Sequence, residues 1–422
     1  MAGQIKICKR ITCFLAGLII CVLLVCGILL AVNEKAVESS EPVDVNEVVK
    51  GNTQFALELY GKLADVPDAE KKNLFFSPYS ISTALALTFA GARGDTEKQM
   101  AQVLHFGPAG QKAHPAFGLL EKQLNEKGAE GVFELTVANA LWGQEGFKFL
   151  DSFIDSVNSN YSAGLNEVDF RGETEKSRET INKWVEEKTR EKIKDLIKPG
   201  VLSELTRLVL TNAIYFKGKW QYEFDKKDTR DADFRQTAAK QFKVPLMYIK
   251  KEFNYAELDN LQILELGYKG DALSMIVLLP GEVDGIKQLE KELTVENLDK
   301  WLTGLRKGEV EVYLPKFKFT TEFELNKVLS QMGMPAAFSE NADFSGMTGG
   351  RDLFISNVLH KAFVEVNEEG TEAAAATAVV MRLTSVQQIP VFRADRPFVF
   401  MIRDNDTGSI LFMGRIYNPL RS

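Results

Sequence analysis

Three histidines, four cysteines and a few buried-type hydroxyl residues are the side chains that could carry chemistry in this 422-residue chain. The histidines are His105, His114 and His360, and the chain contains no G-x-S-x-G, S-x-x-K, H-E-x-x-H or G-x-x-x-x-G-K-[ST] motif. Catalytic triads are recognised by geometry rather than by spacing, so this absence lowers the expectation of catalysis without removing it. We predict that the chain is not an enzyme and has no catalytic residues; a hydrolase is the alternative.

All four cysteines lie near the amino terminus, at Cys8, Cys13, Cys21 and Cys26. Their paired C-x-x-x-x-C spacings suggest metal ligands, but thiols in or beside an apolar segment are more often membrane-facing side chains or lipid attachment points. The rest of the chain has no cysteine and therefore no disulfide, so its core alone must supply the stability. We predict no metal and no cofactor.

The segment Ile11–Val32 has no charged residue over 22 positions, and Lys6, Lys9 and Arg10 precede it. About 20 apolar residues cross a bilayer as a helix, whereas the core of a cleaved signal has about 7–15. The flanks are basic before the segment and acidic after it, so by the positive-inside rule the amino end stays in the cytoplasm and the body is exported. We predict that residues 1–32 are a basic region with a signal anchor or, alternatively, a signal peptide, and that the protein is membrane-anchored or secreted.

Residues 33–45 are polar and acidic and read as a tether, and residues 46–422 contain no second linker and no internal repeat. The net charge is −7, from 51 basic and 58 acidic residues, which argues against nucleic acid as a partner. We predict that the body is a monomer and touches the membrane through the amino-terminal segment alone.

Two apolar segments each carry isolated polar side chains. Ser77-Pro78 opens a helix with hardly any polar face, which must be buried, and Ser77 and Ser80 suit helix capping. The strand Leu208–Trp220 is apolar on both sides except at Asn212, whose amide must find partners or cost about 1–3 kcal/mol. His360 alternates onto the apolar face of its own strand, where a histidine is usually a satisfied core residue.

Other segments define a mixed α+β fold with mostly antiparallel sheets. Helical periodicity covers Phe149–Ser162, Glu175–Ile197 and Thr294–Leu305, and strands are predicted at Ala272–Pro280, Val310–Phe319 and Leu353–Ile355. Pro397–Arg403 and Ser409–Arg415 are apolar strands joined by D-N-D-T-G, which predicts a hairpin.

The segment Glu368–Pro397 combines four consecutive alanines, which favour helix, with residues that favour strand. In a strand, the face that begins at Thr371 carries no charge, while the other carries Glu372 and Arg382. The alternative is an alanine-rich surface helix, against which Gly370 argues because glycine costs about 1 kcal/mol near a helix start.

The segments Asn357–Thr377 and Phe392–Ile402 resemble the reactive-centre loop and its flanks in the serpins. The resemblance extends from about residue 45 to the end and implies a serpin fold with helices around the sheets and an exposed reactive-centre loop. It implies a loop hinge at Glu368, Glu369, Gly370, Thr371, Glu372, Ala373, Ala374, Ala375 and Ala376. It also implies a hydrogen-bonded shutter in the main sheet, formed by Ser77, Ser80, Asn212 and His360. It places Trp220 at the breach, which is the end of the sheet where insertion starts. Trp220 is also consistent with a core aromatic.

The small residues of this hinge match inhibitory serpins, which are suicide substrates of serine proteases. The cleaved loop enters the main sheet as an added strand and carries the attached protease with it. The alternative is a non-inhibitory serpin that acts as a chaperone, carrier or storage protein.

The resemblance also predicts the bait bond. Inhibitory serpins have about 17 residues from the hinge glutamate to the scissile residue, and counting from Glu368 gives Thr384-Ser385. A small β-branched residue suits elastase-like or subtilisin-like proteases. Arg382-Leu383 is the alternative and suits trypsin-like proteases, although cleavage there shortens the inserted strand by roughly 6–7 Å.

Overall fold

A wholly buried helix, Pro78–Phe89, lies behind the central strands of the molecule. In the computed structural model, which describes residues 44–66, 72–129, 133–161, 164–371 and 389–421, this helix begins where the sequence predicted. The Ser77 hydroxyl accepts a hydrogen bond from the Ser80 N–H at 3.1 Å. Pro78 occupies the first turn, where a backbone N–H has no partner within the helix, so its missing N–H costs no hydrogen bond. All twelve helical residues are buried, as the lack of a polar face indicated.

The elements are numbered in chain order. The helices are α1 (Val45–Ala64), α2 (Pro78–Phe89), α3 (Gly94–Val103), α4 (His114–Ala129), α5 (Asp151–Asn160), α6 (Thr174–Lys188), α7 (Ile286–Glu292), α8 (Val295–Thr303), α9 (Asn326–Met332) and α10 (Ser345–Thr348). The strands are β1 (Leu74–Phe76), β2 (Phe133–Gln144), β3 (Leu165–Val168), β4 (Leu208–Lys219), β5 (Arg230–Thr237), β6 (Lys240–Leu258), β7 (Leu261–Gly267), β8 (Leu273–Pro280), β9 (Arg306–Pro315), β10 (Phe317–Glu324), β11 (Asn357–Val366), β12 (Gly370–Thr371), β13 (Val391–Arg393), β14 (Phe398–Asp404) and β15 (Ile410–Ile416).

The residues from Asp44 onward belong to one compact unit. Asp44 and Val45, assigned to the tether from sequence, are the amino-terminal cap and first residue of α1, because the Asp44 carboxylate accepts from the Asn46 N–H at 3.0 Å. In the part of the chain that the structure describes, no helix combines the length and the apolarity needed to cross a membrane. The Ile11–Val32 segment lies outside that part.

The six-stranded sheet contains Asn212 on β4 and His360 on β11, whereas Ser77 and Ser80 belong to the cap and first turn of α2. The order of the sheet is β10-β11-β4-β2-β3, with β12 added to β4, and the β11–β4 and β2–β3 pairs are parallel. Along β4, the run from Leu208 to Phe216 is completely buried. One face, with Ile214 and Phe216, joins the main core, and the other, with Val209 and Ala213, packs with residues of α6. A strand apolar on both faces therefore lies in the middle of a covered sheet, as predicted.

The nine-stranded sheet completes the core. Its order is β1-β15-β14-β8-β7-β6-β9-β13, with β5 paired to β6. The hairpin predicted across D-N-D-T-G is present, because β14 and β15 pair antiparallel around that turn. The strand at Ala272–Pro280 is confirmed as β8, and the helices predicted at Phe149–Ser162 and Thr294–Leu305 are confirmed as α5 and α8.

Three of the secondary-structure predictions are wrong in extent or in type. The helix predicted to Ile197 ends at Lys188, where Arg190 and Glu191 take positive φ and the Thr189 hydroxyl accepts from the Ile193 N–H. The single strand predicted over Val310–Phe319 is two strands, because the chain passes at Pro315 from the nine-stranded to the six-stranded sheet.

The third is Leu353–Ile355, which forms no strand. The Ile355 N–H donates to the Ala337 carbonyl at 2.9 Å, in a 3₁₀ turn, rather than to a strand. Leu353 and Ile355 are buried, so the alternating apolar pattern indicated which side chains are buried and not a hydrogen-bonded strand.

Candidate functional site

The six-stranded sheet is split at one end. Strands β11 and β4 pair in parallel from Asn357–Val209 to Phe363–Tyr215, and then their register ends although both strands continue. Beyond this point β12 pairs antiparallel with β4, with Thr371 opposite Gly218. Because β2 already pairs with the other edge of β4 at Gly218, β12 lies on the side of β4 that faces β11. Gly370–Thr371 therefore adds a short strand to this end of the sheet, between β4 and β11.

A tight turn leads into β12. The Asn367 N–H donates to the Gly370 carbonyl at 2.9 Å, and the Gly370 N–H donates back to the Asn367 carbonyl at 3.3 Å. Gly370 has a φ of 144°, and a Cβ there would lie 2.1 Å from the Gly218 carbonyl oxygen. Only glycine fits this position without displacing the strand.

The two hinge glutamates are buried and paired. Glu368 accepts from the Thr229 hydroxyl at 2.9 Å and from the Lys316 ammonium at 2.8 Å. Burial opposes the charge on Glu368, but these hydrogen bonds outweigh burial and hold its pKa below the usual value. Glu369 accepts from the Lys226 ammonium at 2.5 Å. The hinge is therefore fixed by two ion pairs before the loop begins.

Trp220 contacts the turn that leads into β12. Its indole N–H donates to the Asn367 carbonyl and its backbone N–H to the Glu369 carbonyl, both at 3.0 Å. Its ring stacks on Tyr268 at 4.8 Å between centroids, and the Tyr268 hydroxyl lies 3.0 Å from the Thr371 Oγ1. Sequence reasoning missed Tyr268, because a tyrosine between two strands carries no local signal of this role.

His360 joins β11 to β4 and to the buried helix α2. Its Nε2 accepts from the Ser77 N–H at 3.2 Å, so the ring proton is on Nδ1, which donates to the Asn212 Oδ1. Burial lowers the pKa of His360 to about 3, which keeps the ring neutral. The Ser77 hydroxyl donates to the Leu411 carbonyl at 2.6 Å and not to the histidine.

Asn212 extends this network across the sheet. Its Nδ2 donates to the Ser80 hydroxyl at 2.6 Å and to the Asn139 Oδ1 at 2.5 Å. The Ser80 hydroxyl donates to the Asn139 Oδ1 at 2.9 Å, and the Asn139 Nδ2 returns a hydrogen bond to the Ser80 carbonyl. The structure therefore brings Ser77, Ser80, Asn212 and His360 together in one buried network that spans β11, β4 and β2.

Asn139 is the member of this network that sequence reasoning missed. It lies directly opposite Asn212 in the β2–β4 pair and is 4% exposed. Like Asn212, it interrupts an apolar run, here Val137–Leu141, and that interruption is the signal that could have identified it.

In the part of the chain that the structure describes, none of the three histidines hydrogen-bonds a serine, threonine or cysteine side chain. His105 lies 2.9 Å from a Glu58 oxygen, and His114 bonds the Tyr161 hydroxyl at 2.6 Å and the Gln111 side chain at 3.0 Å. Within the described ranges, no three His, Cys, Asp or Glu side chains are grouped as a metal site requires.

The remaining predicted site residues lie outside the described residues. These are the hinge positions Glu372, Ala373, Ala374, Ala375 and Ala376 and the bait positions Arg382, Leu383, Thr384 and Ser385.

The chain is similar to known proteins in sequence and in fold. The family model described as Serpin (serine protease inhibitor) matches residues 50–419. The leukocyte elastase inhibitor of Homo sapiens is 42% identical over 384 residues, which cover 89% of this chain and 100% of that relative.

Solved structures show the same fold. Serpin48 of the insect Tenebrio molitor superposes with a TM-score of 0.79 and 35% identity, over 88% of this chain and 98% of that one. Uncleaved ovalbumin superposes with a TM-score of 0.80 and 31% identity, over 88% of this chain and 100% of that one. Because the family model matches most of the chain and the human relative is 42% identical over its full length, the chain belongs to the serpin family of serine protease inhibitors.

Proposed function

We propose that this chain inhibits serine proteases as a suicide substrate whose bait is the loop after Thr371. The observation that carries the proposal is β12, which already occupies the first rows between β4 and β11. The split leaves free strand edges for the next two residues, and each residue after them has to replace a β11–β4 pair with pairs of its own to both strands. The uncleaved fold is then a kinetic trap, and cleavage releases it.

The loop sequence fits continued entry. The register of β12, continued beyond Thr371, pairs Glu372 with Lys217 and Ala373 with Phe216. Phe216 faces the main core, so the uncharged face of the loop enters apolar surroundings. Glu372 meets a half-buried lysine of opposite charge, which favours a cross-strand pair.

The chemistry begins at the protease. The oxygen of its active-site serine forms an ester with the Thr384 carbonyl carbon, the bond from that carbon to the Ser385 nitrogen breaks, and Ser385 becomes a new amino terminus. Loop entry then drags the acylated protease along the sheet and distorts its active site before water hydrolyses the ester. The chain itself turns over no substrate.

We assign elastase-like and subtilisin-like enzymes as first targets. Thr384 is small and β-branched, and the human relative at 42% identity is named a leukocyte elastase inhibitor. Arg382-Leu383 is the second site and suits trypsin-like proteases. Cleavage there gives a shorter inserted strand, so the protease more often completes hydrolysis and escapes than stays trapped.

Mass spectrometry of the carboxyl-terminal fragment released on complex formation tests the assignment. With elastase, we expect a fragment that starts at Ser385 together with a detergent-stable complex. A fragment that starts at Leu383 with a trypsin-like protease, and no complex with elastase, overturns it. Ester hydrolysis by the purified chain at a catalytic rate overturns the inhibitor proposal.

We further propose that a monomeric body, which begins at Asp44, is exported, with residues 1–32 as anchor or signal and residues 33–43 as tether. The basic-before, acidic-after flanks of Ile11–Val32 support this orientation. Amino-terminal sequencing of the mature protein distinguishes anchor from cleaved signal. Protease treatment of intact cells must digest the anchored body, and protection of the body refutes the anchor.

A further inference from the structure

Two tripeptides in the chain have the Asn-x-Ser/Thr pattern with x other than proline. They are Asn160-Tyr161-Ser162 and Asn405-Asp406-Thr407. In exported proteins, this pattern is the acceptor for N-linked oligosaccharides. The surroundings of the two asparagines differ sharply.

Asn405 lies in the turn that joins β14 and β15 and is exposed to solvent. Its Nδ2 donates to the Asp271 carbonyl at 2.7 Å, and its Oδ1 accepts from the Ser274 hydroxyl at 2.8 Å. An amide nitrogen has two hydrogens, and the Asp271 contact uses one of them. A sugar that replaces the other hydrogen leaves both contacts available. The side chain of the neighbouring Asp406 is 74% exposed, so the turn has room for a large substituent.

Asn160 is the last residue of α5 and is half-buried. Its Nδ2 donates back to the Ser156 carbonyl at 2.8 Å, and the next residue, Tyr161, is buried against His114. A Cβ at Gly118 would lie 2.5 Å from the Asn160 carbonyl oxygen, so this helix end packs directly on the backbone of α4. An oligosaccharide here has to separate the two helices.

We propose that Asn405 carries an N-linked oligosaccharide and that Asn160 does not. This inference rests on the proposed export of the body, because the transferase and its lipid-linked oligosaccharide donor act in the lumen of the endoplasmic reticulum. The Asn405 nitrogen forms a bond to C1 of the first sugar, and the bond from that carbon to the diphosphate of the lipid breaks. The amide releases one proton, and the diphosphate leaves with the lipid.

The full chain, produced in secretory animal cells, is compared on denaturing gels before and after treatment with peptide N-glycosidase F. We expect a shift that corresponds to one glycan, and peptide mapping that finds Asn405 converted to aspartate by the glycosidase. Asn405→Gln must abolish the shift, and the matched variant Asn160→Gln must retain it. Thr407→Ser keeps the acceptor hydroxyl and the turn and must also retain it. Peptide mapping of the wild-type chain shows which asparagine carries the glycan even if a variant does not fold.

A reporter Asn-Gly-Thr appended after Ser422 separates the ways in which the proposal fails. A glycosylated reporter with unmodified Asn405 overturns the proposal and leaves export intact. Absence of glycan from both positions overturns the proposed glycan, and protease treatment of the same intact cells then decides export separately. A glycan on Asn160 overturns the structural discrimination. The stoichiometry of elastase inhibition, measured on the same preparations, reports separately on the inhibitor proposal.

Discussion

Replacement of Thr371 by arginine tests whether loop entry is the inhibitory step. Thr371 is 1% exposed and contacts Tyr268 in the gap between β4 and β11. The nearby acidic groups, Glu368 and Glu369, already have lysine partners. A guanidinium forced into this position is an unpaired buried charge, which costs several kcal/mol.

The uncleaved variant can avoid this cost. Withdrawal of β12 from the sheet gives up two rows of pairing at about 1 kcal/mol per hydrogen bond, which is cheaper than the buried charge. We therefore expect Thr371→Arg to fold with only a small loss of stability. After cleavage, the arginine has no such escape, because the loop enters through this position. A penalty of about 3 kcal/mol at the start of entry slows insertion roughly 100-fold.

Hydrolysis of the acyl-enzyme by water continues at its own rate, so the variant becomes a substrate. The assay is the number of inhibitor molecules consumed per elastase inactivated, together with the detergent-stable complex on a denaturing gel. Thr371→Val is the matched control, because it keeps size and shape and loses only the contact with Tyr268, so it must still inhibit. A Thr371→Arg protein that forms the complex at wild-type stoichiometry refutes the reasoning.

Three further predictions concern stability. Cleavage within the loop must raise the melting temperature, because the entering strand fills the split in the sheet, and equal melting curves for intact and nicked protein indicate a non-inhibitory serpin. Asn212→Ala leaves the hydrogen-bonding groups of Ser80, Asn139 and His360 incompletely paired, so it must lower the free energy of unfolding by about 3 kcal/mol, whereas the exposed Asn254→Ala must change it by less than about 0.5 kcal/mol. Burial lowers the pKa of His360 to about 3 and that of His114 to about 4, while unfolded histidine titrates near 6.5. The unfolded chain thus binds more protons than the folded chain below pH 6.5, so the free energy of unfolding must fall as the pH is lowered from 6.5 to 5. Each of the two histidines contributes up to roughly 1.4 kcal/mol per pH unit, measured by urea unfolding, and a flat profile contradicts the prediction.

Local patterns in the sequence were sufficient to place several site residues in their elements. Asn212 interrupts an apolar run, and this predicted a buried strand whose amide needs partners, which the structure supplies. The identity of those partners is not a local property. Ser80, Asn139 and His360 come from three distant segments, and only the packing of α2 behind β4 and β11 brings them together.

The hinge shows the same limit. The sequence indicated that Gly370 does not suit a helix start, but glycine is required there because the Gly218 carbonyl of another strand lies where a Cβ would be. The ion pairs of Glu368 and Glu369 with Lys316 and Lys226 join residues that no periodicity connects. Leu353–Ile355 was misassigned because alternation reports which side chains are buried, and burial against a turn gives the same pattern as burial in a sheet.

The stacking of Trp220 on Tyr268 gives the molecule an internal optical reporter. The indole N–H donates to the Asn367 carbonyl at the base of the hinge, so any movement of that turn changes the polarity around the ring. The chain has only three other tryptophans, Trp142, Trp184 and Trp301, and replacing them with phenylalanine isolates the signal of Trp220. Stopped-flow fluorescence then follows the opening of the sheet in real time, on the unlabelled inhibitor and without a dye that disturbs the loop.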